Sequence, residues 1–236
     1  MSDRAQSHVV GVVVLLGLTA IAMGGLTATI GTIVDEQTAS ADANRVASDL
    51  DSALRPVETT GYRAGEVSFA SGSLGVEQRE LRVLDSSGVV ATIQTDALVF
   101  EAQQRRVAAV AGAIVRGHGE STWLATTPPI TSGDGVLVVG AQKLNGTGSV
   151  GGSGGVTTTL STNVSHDRRL LGDGEYRVAI ETATPGAFEQ YADARGHDVT
   201  VTDIDGDGVP SALIEYDGTR TAYLVVHDMR LEVGDG

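Results

Sequence analysis

"EYRVAIET", residues Glu175–Thr182, decides how most of this chain is read. Tyr176, Val178 and Ile180 alternate with Arg177, Ala179 and Glu181. Successive side chains of a strand point to opposite faces, so this period of two describes a half-buried strand. The same pattern continues outward in both directions. "GEVSFASG", "RELRVLDSSGVVATIQ", "ALVFEA", "GVLVVGAQKL", "GVTTTLSTNV", "DVTVTDI", "ALIEYDG" and "TAYLVVHDMRLEV" are short, rich in β-branched residues and bounded by Gly, Asp or Ser. About nine strands in about 175 residues predict a mostly antiparallel sandwich or rolled sheet over residues 57–236.

Three segments interrupt the pattern. "RRVAAVAGAIVRG", Arg105–Gly117, reads as a strand bent at Gly112, with a helix as the alternative. "PGAFEQYADARG", Pro185–Gly196, has an early proline, helix formers and a closing glycine, and predicts a helix. "NGTGSVGGSGG", 145–155, has the composition of a flexible linker or surface loop. It also matches the G-x-S-x-G serine-hydrolase pattern at Ser153, which carries meaning only on a strand-turn-helix elbow.

Upstream of residue 57 the period changes. Val9 to Val34 is a run of about 26 residues without formal charge, which as a helix would span ~39 Å against a ~30 Å hydrocarbon core. The spacing predicts a transmembrane helix over about 9–34, too long for the apolar region of a secretory signal. Arg4 precedes it and Asp35 and Glu36 follow it, which places the N-terminus in the cytoplasm and the remainder outside. Gly17, Gly24 and Gly31 recur every seven residues, and Ala20, Gly24 and Ala28 every four. Small residues at these spacings let helix backbones approach closely, which predicts self-association; a glycine-tolerant single anchor is the alternative. Ala39, Ala43, Val46, Leu50 and Ala53 then form a heptad-like stripe, so residues 35–55 predict an amphipathic continuation lying on the β domain. Pro56 ends it. The expected fold class is therefore α+β: a long N-terminal helix, 6–56, followed by the β domain.

Composition excludes several functions. The net charge is −14, and of 16 basic residues only Lys143 is lysine. Such a surface repels nucleic acid, whose binding needs clustered Lys and Arg. It suits very high salt, where the Debye length falls to about 3 Å or less and self-repulsion is screened. There is no cysteine, so disulfides and thiol chemistry are excluded.

"DIDGDG", Asp203–Gly208, is the clearest chemical motif. Asp203, Asp205 and Asp207 occupy positions 1, 3 and 5 of an EF-hand-like loop, with Gly208 at the turn position. Converging carboxylates suit a hard cation, so Ca²⁺ is the candidate cofactor. The twelfth position is Ile214, and the alternative is an acidic turn between strands. Asn145-Gly-Thr147 and Asn163-Val-Ser165 are N-glycosylation sequons. The five histidines form no H-x-x-H pattern, and no phosphate loop or paired catalytic carboxylates occur; an enzyme is not expected.

Asp3-Arg4-Ala5, then Gln6-Ser7-His8-Val9-Val10-Gly11 and the apolar run, resembles the class III signal segment of archaeal type IV pilins, haloarchaeal pilin-like proteins most of all. The block Tyr176–Val201 is similar to the C-terminal part of that group. The resemblance implies cleavage by a prepilin peptidase after Ala5, with residues 1–5 as leader, Gln6 as the new N-terminus and the helix retained. Bacterial pilins usually carry Gly before the cut and Glu at the fifth mature position; Ala5 and Val10 stand here. The implied function is a membrane-anchored subunit or minor subunit of a cell-surface filament, active in adhesion. Its implied partners are the prepilin peptidase, the membrane and other pilin-like subunits met through the helix. A non-polymerising anchored binding module, calcium-stabilised, is the second reading.

Overall fold

The computed structural model describes residues 3–55, 60–118 and 121–235, with side chains described except at 3–13, 22, 24–32 and 235. Helix α1 (Asp3–Leu54) leads into β1 (Gly61–Glu77), β2 (Glu80–Asp85), β3 (Gly88–Gln94), β4 (Ala97–Ala102), β5 (Arg105–Val110), β6 (Ala113–His118) and β7 (Ser121–Thr126). Then follow β8 (Ile130–Gly133), β9 (Val136–Lys143), β10 (Ser149–Glu181), α2 (Gly186–Asp193), β11 (Val199–Thr202), β12 (Ser211–Asp228) and β13 (Glu232–Asp235).

Strand β10 is long enough to serve two sheets. Its first half pairs with β1, and the order continues through β4, β5 and β6 to β7, with β13 on its other edge. Its second half pairs with β12 and β2; β3 extends beyond β2, while β9 and β8 extend beyond β12. β11 pairs with the start of β12. All these pairings are antiparallel except β9 with β12.

The first sheet is covered on both faces. Ala97 and Val99 of β4 join an apolar cluster that includes Val139, Val178, Ile180 and Ile214 of the second sheet. Leu98 and Phe100 of the same strand join the opposite cluster, with Ala43, Val46 and Leu50 of α1. A strand covered on both sides reads as a continuous apolar run, as "ALVF" does. The α1 stripe packs here: Ala39, Ala43, Val46 and Leu50 are buried, joined by Ala47 and Leu54, and Ala53 is partly buried. Gly65 lets the helix sit close, since a Cβ there would lie 2.7 Å from Ala53 Cβ. The helix end is held by Gln142, whose Nε2 donates to the Leu54 carbonyl at 2.6 Å.

Several expectations are corrected. The chain is mostly β rather than α+β, with thirteen strands against two helices among the described residues. Among the described residues no helix is long and apolar enough to cross a membrane. The expected transmembrane span over 9–34 is therefore not found among the described residues, and the side chains of residues 9–13, 22 and 24–32 lie outside them. The helix itself is continuous from Asp3 to Leu54. Residues 105–117 form two strands, because Ala111 and Gly112 both take positive φ, 50° and 83°, and turn the chain into a hairpin. The expected loop 145–155 is largely strand: Ser149 to Ser153 pair with β1, because ladder hydrogen bonds come from the backbone whatever the side chains. The helix expected in 185–196 is α2, whose Phe188 and Tyr191 are buried in the inter-sheet cluster.

Candidate functional site

Arg82 lies on β2 with only 4% of its surface exposed. Burial of a guanidinium demands compensating charge. Three carboxylates supply it. Glu80 lies 2.7 Å from Nη2, Glu181 of β10 lies 3.3 Å from Nη1, and Asp205 of the DIDGDG loop accepts from Nη2. β2 and β10 are antiparallel neighbours, and Ile204 of the loop preceding β12 packs against Leu84 of β2 and Ala179 of β10. A cavity of about 120 Å³ adjoins this cluster, lined in part by Arg79, Glu80, Asp96, Glu181, Asp205 and Asp207. Burial is the main force raising the Glu181 pKa, Asp207 and Asp205 add to it, and Arg82 opposes it.

The DIDGDG loop is organised by its own carboxylates. Asp203 accepts the Gly206 N–H at 2.8 Å and the Gly208 N–H at 3.0 Å, and these bonds hold its pKa below the usual carboxylate value. Asp207 accepts the Val209 N–H at 2.8 Å. Asp203, Asp205 and Asp207 do place one oxygen each within 4.8 Å of one another, as do Glu80, Glu181 and Asp205. In the second group the Arg82 guanidinium already supplies the positive charge. Ile214, at the twelfth position, is fully buried in the core and offers no oxygen ligand. Asp205 engages Arg82 through Oδ2, and the arrangement as it stands is an ion network joining β2, β10 and the loop.

The other expected site residues are dispersed. Asn145 and Asn163 are both exposed, as glycan acceptors must be, but stand on different segments. Gly17 and Ala20 lie on exposed helix, and a Cβ at Gly17 would meet nothing within 4 Å. The side chains of Arg4, Ala5, Gln6, Gly24, Ala28 and Gly31 lie outside the described residues. Ser153 is in a strand, so the elbow that would give its motif meaning is missing.

One pairing had no signal in the sequence. His166 of β10 and His227 of β12 are cross-strand partners with Nδ1 atoms 2.9 Å apart. They are 61 positions apart in sequence, and only the strand register reveals them.

The architecture defines a class: a two-sheet β body carried on one long helix, with a buried arginine–carboxylate network. The chain belongs to a family of unknown function, DUF7289, whose model matches residues 4–232. Comparison with curated proteins finds no match, and neither does comparison with solved structures.

Proposed function

We propose that this chain is a pilin-like subunit, or minor subunit, of a surface filament that assembles through the projecting half of α1. One observation carries the reading. Val14, Leu15, Leu16, Leu18, Ile21 and Val34 are each more than half exposed, on the same helix whose far end is clamped to the β body. Burying a large aliphatic side chain is worth about 1.5–3 kcal/mol, so covering six of them is worth on the order of 10 kcal/mol before the cost of association. An apolar surface of this kind marks an interaction site. Copies of the same helix suit it, because Gly17 and Ala20 leave room for close backbone approach. The acidic, lysine-poor, cysteine-free surface supports a haloarchaeal setting, where salt screens the repulsion between neighbouring bodies.

The test is the native N-terminus, read by intact mass, together with electron microscopy of the native material. A chain beginning at Gln6 and found in filaments supports the proposal. A monomeric chain beginning at Met1 or Ser2 overturns it and favours a binding module. Gly17→Leu and Gly24→Leu should each block assembly while leaving the β body folded.

A further inference from the structure

We propose that His166 and His227 form a bis-imidazole site for a divalent transition-metal ion of the Zn²⁺, Ni²⁺ or Cu²⁺ class. Directly paired residues of an antiparallel ladder send their side chains to the same face, with Cβ atoms about 4.5–5.5 Å apart. His166 and His227 hold such positions, and their rings meet edge to face at 85° with centroids 5.0 Å apart. The two Nδ1 atoms point at each other across 2.9 Å. At that distance one nitrogen must carry a hydrogen and the other a lone pair, so a single proton bridges the rings. A metal ion can take the place of that proton. Zn–N bonds of about 2.0–2.1 Å at a tetrahedral angle put the two nitrogens about 3.3 Å apart, a few tenths of an ångström beyond the present spacing. Small ring rotations supply that difference without moving a strand.

The scaffold is well suited to hold two ligands. β12 is flanked on both sides near His227, by β10 through His166 and by β9 through Gln142. A central strand fixes its side-chain origins better than a loop does. His166 Nε2 is buried and has no hydrogen-bond partner. With Nδ1 bound to a metal, Nε2 would carry the ring hydrogen, so metalation fixes the tautomer of His166 while leaving that N–H unpartnered. Among the described residues no carboxylate or third histidine joins this pair in a three-ligand set, so water would fill the remaining positions. The softness of imidazole selects against Ca²⁺ and Mg²⁺ and separates this site from the DIDGDG loop.

The test uses the full chain, stripped with chelator and titrated with Cu²⁺ alone. Binding is followed by calorimetry and by electron paramagnetic resonance. One ion per chain with hyperfine structure from two imidazole nitrogens is expected. His166→Gln and His227→Gln should each weaken binding by about tenfold or more and remove the two-nitrogen signature. His197→Gln and Asp203→Ala should change neither. Circular dichroism of each variant establishes that it folds. No binding by folded wild-type chain, or unaltered binding and spectrum in both folded His166 and His227 variants, would overturn the proposal.

Discussion

The carboxylate of Asp42, on the helix, accepts the backbone N–H of Ala70 at 2.8 Å. The same oxygen accepts the Ser71 N–H at 3.2 Å. Both donors sit where the β1–β10 register slips, between Phe69 and Ser71, so the ladder leaves them to a side chain. Asp42 is only 3% exposed. Asp42→Ala should therefore cost about 1–3 kcal/mol, the usual penalty for stranding buried donors. Urea unfolding measures it, and a loss below about 0.5 kcal/mol would show that the bulge finds another acceptor.

Arg82 holds together three carboxylates that would otherwise repel. Arg82→Met should destabilise the chain by about 3–5 kcal/mol, because it strands the buried Glu181. Arg82→Met combined with Glu181→Leu should recover part of the loss. If the double variant is no more stable than the single one, the remaining acids dominate the penalty.

Glu181 gives a pH signature of definite sign. Its folded-state pKa is raised above the ordinary 4.5, first by burial. The native state therefore holds this proton more tightly than the unfolded chain does. The stability it contributes is fully present below 4.5 and is lost as pH rises through the raised value. Glu181→Gln should flatten that part of the stability profile, measured as melting temperature against pH. An unchanged profile would assign the titration to another group.

Asp203 has the opposite sign. Its pKa is lowered from 3.8 by the Gly206 and Gly208 N–H groups. Its contribution is present above 3.8 and is lost as pH falls through the lowered value. Asp203→Ala should weaken the acid limb of the profile and open the 203–209 loop to proteolysis at neutral pH. Equal cleavage rates for the variant and the natural chain would show that Asp205 and Arg82 are enough to hold the loop.

Gly65 sets the distance between α1 and the first sheet. Gly65→Val should push the helix off Leu74, Leu98 and Phe100 and lower stability by about 1–3 kcal/mol, as overpacking does. Gly133→Ala, where nothing lies within 4 Å of the added Cβ, is the matched control.

The local features were legible in the sequence. Alternation at Tyr176, Val178 and Ile180 specified a strand with one apolar face, and all three are buried in the inter-sheet core, but Ala179 and Glu181 on the face expected to meet solvent are buried as well. The spacing of Ala39, Ala43, Val46 and Leu50 specified the helix face that the sheet covers. The acidic DIDGDG turn was visible as a motif, though the partner that occupies Asp205 was not. Each of these signals depends on residues within a few positions of one another, where backbone geometry fixes which side chains share a face. Tertiary structure alone decided the division of β10 between two sheets, the burial of Arg82 among Glu80, Glu181 and Asp205, and the meeting of His166 with His227. Those pairings bring together residues as many as 123 positions apart. Strand register over such distances is set by how much apolar surface the whole chain buries at once, a quantity that no short stretch of sequence contains.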